Sequence, residues 1–194
     1  MKAFTPVCTT EIISFSRAYK YFQSLNTELL GLSIDSNASH LAWINDIYMR
    51  TGIIVPFPII ADRSGEIARK YGMISNNVST TETVRNVFII DDKGIVRVIL
   101  VYPLNIGRFI PEIIRTIQAL QMAECSNGST PANWVLGNPV IVPAPQTFCQ
   151  LQERNKSIEQ NKNGFNWYLS FKMPEQECID KVNMKENENC ENKE

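Results

Sequence analysis

The chain has 194 residues, 44% of them hydrophobic, which suits one domain with an appendage around a real core and excludes wholesale disorder. Nineteen Lys and Arg against twenty Asp and Glu give a net charge of -1, so no basic field exists to hold nucleic acid or an anionic membrane surface. The longest apolar run, Ile53 to Ala61, is broken by Pro56 and Pro58 and falls short of the roughly 18 residues of a membrane span.

The first residues carry no apolar stretch before Glu11 that would read as a secretory signal, so the expected location is cytoplasmic. From Thr9 to Asn26, Ile12, Ile13, Phe15, Ala18, Tyr19, Phe22 and Leu25 recur at three- and four-residue steps, which predicts a helix with one buried face, beginning near Pro6. Leu29 to Ile34 reads as a short buried strand feeding a turn at Asp35-Ser36-Asn37 and a second helix over His40 to Arg50. Ile59-Ile60 follows Pro56-Phe57-Pro58 as a short apolar stretch, Ser64 to Gly72 reads as a short helix closed by glycine, and Ser75 to Thr83 as a polar loop.

Arg85 to Ile90 and Ile95 to Val101 are β-branched runs joined by Asp91-Asp92-Lys93-Gly94, the pattern of an antiparallel hairpin. After Gly107, the spacing of Phe109, Ile110, Ile113, Ile114, Ile117 and Leu120 predicts a helix, with Pro111 tolerated in its first turn. Beyond Cys125, Pro131, Pro139, Pro143 and Pro145 interrupt short apolar pieces, which reads as an arm lying on a partner subunit. The end of the chain, rich in Asn, Glu and Lys, reads as a disordered tail. The expected organisation is therefore a core over 1–125, a dimerisation arm over 126–176 and a polar tail over 177–194.

Five cysteines, Cys8, Cys125, Cys149, Cys178 and Cys190, are an odd number at wide spacings, which argues against a secreted disulfide framework. With no Cys-x-x-Cys and a single histidine, His40, neither a metal nor a cofactor is expected. Cys8 stands directly before the first predicted helix, where free backbone N–H groups and the helix dipole favour a thiolate. Thr5, three residues earlier, can bring its hydroxyl to the same side of a turn. The residues alone leave two readings open: a reactive thiolate with its donor, or a small buried apolar side chain preceded by an N-cap. His40 and Trp43, three apart, read as packing or solvent-facing rather than catalytic.

The run Phe4-Thr5-Pro6-Val7-Cys8-Thr9-Thr10-Glu11 resembles the active-site motif of the peroxiredoxins, in particular the one-cysteine branch and its archaeal and bacterial relatives. The resemblance continues through Gly31 to Ser36, His40 to Ile44, Phe57 to Asp62, Arg85 to Asp91, Tyr102-Pro103, Gly107-Arg108 and Pro131 to Trp134. It implies an α/β thioredoxin-like core with an extended C-terminal arm, and N-terminal strands that are missing ahead of Phe4. The sheet that normally surrounds such a strand would then keep two open edges.

The same resemblance makes Cys8 the nucleophile that attacks the peroxide O–O bond, Thr5 a donor to the peroxide and Arg85 the cation that holds the thiolate, with Glu11 and Arg108 behind them. Arg108 at a helix N-terminus opposes the dipole and needs a compensating partner, which Glu11 can supply. Displacement on oxygen spreads charge from sulfur to the leaving oxygen, which suits donors fixed around that path. The family's proline seven residues before the nucleophile is replaced by Met1. Its usual resolving thiols are replaced as well, by Thr130, Gly164 and Ser170, leaving Cys178 and Cys190 in or near the tail as the candidates for that role. The reading is a thiol peroxidase acting on hydrogen peroxide and organic hydroperoxides through a sulfenic acid, reduced by an external thiol, in a homodimer or ring of dimers. Its rival is a non-catalytic remnant acting by self-association or by binding exposed chains.

Overall fold

The computed structural model describes residues 1–74 and 85–183; the predicted loop at Ser75 to Thr83, and Cys190, lie outside them. The chain forms two compact units, Met1–Ile110 and Pro111 onward.

In the first unit, α1 (Pro6–Ser24) starts at Pro6, as expected, because proline suits the first helical position, where no N–H is needed. Cys8 therefore sits inside the first turn rather than ahead of it. The buried face of α1 is Cys8, Glu11, Ile12, Phe15 and Phe22, so a carboxylate shares the stripe with the apolar residues. β1 (Gly31–Ser33) pairs in parallel with β2 (Ile59–Ala61), Gly31 opposite Ile59. A Cβ at residue 31 would meet the tip of the Met1 side chain at 2.8 Å and Ile59 Cγ1 at 3.1 Å, so a side chain there would need both to give way.

Between them, α2 (Asn37–Thr51) is capped by the Ser36 hydroxyl, which accepts from the Ser39 N–H at 3.2 Å, and ends at Gly52 in the left-handed conformation, φ 70°. Its buried face is His40, Trp43 and Ile47. α3 (Glu66–Lys70) is held by Asp62, whose carboxylate accepts from the N–H groups of Ile67 and Ala68. β3 (Arg85–Ile90) and β4 (Val96–Tyr102) form the expected antiparallel hairpin, turned at Asp91, whose carboxylate accepts from the Lys93 and Ile95 N–H groups. Among the described residues of this unit the strands form two two-stranded sheets, β1 with β2 and β3 with β4.

The second unit contains more regular structure than its prolines suggest. α4 (Ile110–Cys125) opens it, followed by β5 (Val140–Ile141), α5 (Phe148–Asn161), β6 (Gly164–Asn166), β7 (Leu169–Lys172) and α6 (Gln176–Val182). The three strands form an antiparallel sheet in the order β5-β7-β6. Reciprocal bonds between Thr147 and Gln150 cap α5, a start signal that the surrounding prolines obscured. Ala119, Met122, Trp134, Val140, Cys178 and Val182 pack into one buried cluster. The helix predicted after Gly107 thus belongs with the segment that follows it, and the units divide at Ile110 rather than at residue 125.

Residues 177–183, expected in the polar tail, are largely α6, which buries Cys178 and Val182 at helical spacing. A disulfide joins Cys178 to Cys125 at the end of α4, and Gln118 Nε2 donates to the Val182 carbonyl at 3.2 Å. Two buried side chains in a charged run are a weak sequence signal, and only the covalent tie makes the short helix legible. Cys125→Ser should lower the stability of the second unit by about 2–4 kcal/mol, since the bond closes a long loop in the unfolded chain. Urea unfolding monitored by Trp134 fluorescence would show this; an unchanged midpoint would mean that apolar contacts alone hold α6.

Candidate active site

The side chains of Cys8, Glu11, Arg85 and Arg108 converge on one buried group of charges, while the half-buried Thr5 donates its hydroxyl to the Lys2 carbonyl at 2.9 Å. Glu11 is 2% exposed, three residues after Cys8 on α1, so both side chains lie on the same helix face. Arg85, the first residue of β3, reaches across: its Nη1 donates to Cys8 Sγ at 3.4 Å and to Glu11 Oε2 at 2.5 Å, and its Nη2 to the Leu104 carbonyl at 2.8 Å. Its Nε is buried without a partner. Arg108 comes from the loop before α4 and donates through its backbone N–H and Nε to Glu11 Oε1, at 2.8 and 3.0 Å, and through Nη2 to Oε2 at 2.7 Å. It also donates to the Asn86 carbonyl at 3.2 Å and lies over the Phe15 ring, 5.4 Å from its centroid.

Two guanidiniums against one carboxylate leave an uncompensated positive charge beside the sulfur. A Cys8 thiolate completes the balance, so the group is electrically closed only when the thiol has lost its proton. Burial pushes the Cys8 thiol up, but hydrogen bonds from the Thr5 hydroxyl and the Lys2 backbone, with the bond and charge of Arg85, hold it below its ordinary value. Burial likewise acts to raise Glu11, and the Arg108 and Arg85 contacts outweigh it, keeping the carboxylate below its usual range. Burial opposes the charge on Arg85, yet the bonds and charges of Cys8 and Glu11 keep its proton even more firmly held.

The structure thus brings Cys8, Thr5, Arg85, Glu11 and Arg108 together. It does not bring Cys178 into play: that residue is bonded to Cys125 and carries no thiol, because α6 packs against α4 rather than trailing as a mobile tail. The free cysteines among the described residues are Cys8, buried, and Cys149, exposed. His40 is buried with neither ring nitrogen bonded. The Leu104 carbonyl that steers Arg85 carried no sequence signal, since any residue offers one. Trp43 did carry one: a tryptophan on a buried helix face needs a partner for its indole N–H.

A family pattern described as the AhpC/TSA family matches residues 1–99, and one described as the C-terminal domain of 1-Cys peroxiredoxin matches residues 119–157. The chain is 54% identical over 169 residues to peroxiredoxin 2 of Caldanaerobacter subterraneus, covering 87% of this chain and 76% of that protein. It is 49% identical over 173 residues to peroxiredoxin 2 of Sulfurisphaera tokodaii, covering 87% and 78%. The chain belongs to the peroxiredoxin family.

Solved structures agree on the thioredoxin-like α/β fold of this peroxiredoxin. A yeast mitochondrial 1-Cys peroxiredoxin superposes with a TM-score of 0.74 at 35% identity, covering 88% of this chain and 82% of the other. A mutant of peroxiredoxin 6 from Arenicola marina gives 0.75 at 30% identity, covering 90% and 83%. The peroxiredoxin is accordingly a peroxidase, and its likeness to these enzymes does not favour the reading as a non-catalytic remnant. No helix among the described residues is long and apolar enough to cross a membrane.

Proposed function

We propose that this peroxiredoxin reduces hydrogen peroxide and small organic hydroperoxides at Cys8. The thiolate attacks one peroxide oxygen, the S–O bond forms as the O–O bond breaks, and the departing oxygen leaves as water or an alcohol after taking a proton. Cys8 is left as a sulfenic acid. The observation that carries this reading is the Arg85 guanidinium, bonded at once to Cys8 Sγ and to Glu11. A fork so fixed need not reorganise as charge moves from sulfur to oxygen, which is where electrostatic catalysis gains most. In this reading Thr5 supplies the donor opposite the fork, and Glu11 and Arg108 hold the fork in place.

Reduction of the sulfenic acid falls to an external thiol, which condenses with it to a mixed disulfide and water before a second thiol releases Cys8. The pairing of Cys178 with Cys125 supports an external donor, since it removes one internal candidate. The yeast mitochondrial relative, described as resolved via glutathione and thioredoxin systems, points the same way. A cytoplasmic setting, where such thiols are maintained, and a homodimer or ring of dimers complete the reading.

The test is peptide mass spectrometry of the reduced chain after one equivalent of hydrogen peroxide, with Cys8→Ser as control. Rapid gain of one oxygen at Cys8, ahead of every other cysteine, is the expected result. Slow oxidation spread over Cys8, Cys125, Cys149 and Cys178 would overturn it.

A further inference from the structure

The Cys125–Cys178 disulfide takes no part in the chemistry above, and its two halves stand in different settings. Cys125 is the last residue of α4 and is exposed, while Cys178, on α6, is 5% exposed and packs in the cluster with Met122, Trp134 and Val140. A thiolate arriving from solvent therefore meets the Cys125 side of the bond first. The end of α4 has anchors of its own. The Ser126 N–H and hydroxyl both donate to the Met122 carbonyl, at 2.9 and 2.7 Å, and Lys172 Nζ donates to the Ser126 carbonyl at 2.9 Å.

α6 is held more lightly. It has seven residues, too few for a helix that persists alone in water, and its N-cap, Glu175, makes no side-chain capping bond. The Gln176–Asp180 hydrogen bond and the Glu177–Lys181 ion pair run along α6 itself and do not fasten it to α4. Beyond the disulfide it is tied by Val182, buried in the cluster, by the partly buried Ile179, and by the Gln118 bond to the Val182 carbonyl. Two apolar side chains and one neutral hydrogen bond are a modest hold against the entropy of ordering seven residues, so the covalent link decides whether α6 stays docked.

We propose that the Cys125–Cys178 disulfide is a thiol-exchange site and a reversible latch on α6, opened by an external dithiol that attacks Cys125. The dithiol's thiolate bonds to the Cys125 sulfur as the bond to Cys178 breaks, and Cys178 leaves as a thiolate that takes a proton. The second thiol of the reductant then displaces Cys125. The protein has gained two electrons and two protons, and the reductant departs as its own disulfide. Reclosure is the reverse exchange, with a small disulfide as the oxidant. Once open, α6 leaves the cluster and uncovers Met122, Trp134 and Val140. In the cytoplasmic setting proposed above, a disulfide is usually transient or sensing rather than permanent, which fits a latch better than a fixed staple. The exchange lies wholly in the second unit and does not depend on how Cys8 reacts.

The experiment treats the folded parent chain with dithiothreitol and follows the bond by alkylation and peptide mass spectrometry, with amide hydrogen exchange across residues 111–183 before and after. Reduction should run within about a hundredfold of its rate in the urea-unfolded chain, since no global opening is needed to reach an exposed sulfur. Exchange of the α6 amides should quicken by about thirtyfold or more while α4 and α5 keep their protection. Oxidised glutathione should restore both the bond and the protection. Brief reduced glutathione followed by iodoacetamide should leave glutathione on Cys125 and the alkyl group on Cys178. Cys125→Ser should show the fast α6 exchange with or without dithiothreitol; because the parent supplies its own reduced state, a fold defect in that variant leaves the test intact. Slower reduction than this, α6 protection unchanged on reduction, failure of the bond to re-form, or glutathione placed on Cys178 would each overturn the latch. Loss of protection throughout α4 and α5 would overturn it too, by making the bond a staple of the whole unit.

Discussion

Arg85→Gln should slow the oxidation of Cys8 by peroxide about a hundred- to a thousandfold, the usual cost of one preorganised donor at a site of developing charge. Arg85 is the side chain that touches both the sulfur and Glu11, so its loss removes the bond to Cys8 and the charge that stabilises the thiolate together. Glutamine keeps an N–H donor but is shorter and carries no charge. The Cys8 thiol is held below its ordinary value in the fold, so the parent rate should rise with pH through that lowered midpoint and level off before the ordinary thiol range. In Arg85→Gln the midpoint should move upward, because burial then acts against a thiolate that has lost its cation. Competition kinetics against a reference peroxidase over a pH series measures both changes. A rate that falls without any change of midpoint would limit Arg85 to the transition state.

Glu11→Gln should be the most destabilising single change at the site, costing about 3–5 kcal/mol near neutral pH. Glu11 accepts from Arg85 once and from Arg108 three times, and its removal leaves two guanidiniums facing each other in a buried space. The sign with pH follows from its depressed titration. A carboxylate held below its unfolded value contributes stability that is complete above the unfolded value and is lost as pH falls through the folded one. Parent and variant should therefore differ most at neutral pH and converge in acid. Denaturant unfolding at pH 7 and at successively lower pH would show this, and a constant difference would place the effect in packing rather than charge.

Much of this was legible in the order of residues. The first helix, the hairpin at Asp91 and the strand at Gly31 follow from period and turn chemistry, because each is a local pattern. Arg108 also declared itself: a cation at a helix start needs an anion, and Glu11 was the acid on the right face. What the sequence could not show was distance. Nothing in Leu104 marks the carbonyl that orients Arg85, and nothing near Cys125 marks Cys178 as its partner across 53 residues. The prolines of the second unit concealed α5 and its capping pair, since breakers dominate a local reading even where the segments between them are regular.

The chain separates two properties of sulfur that usually travel together. Among the described residues the two free cysteines differ in setting: Cys8 is only 5% exposed and bonded to the Arg85 guanidinium, while Cys149 stands open to solvent on α5 with the Glu153 carboxylate 3.8 Å away. A bulky thiol reagent should therefore label Cys149 ahead of Cys8, which peptide mass spectrometry after brief labelling would show. The outer cysteine thus offers a handle for attaching a probe ahead of the inner one.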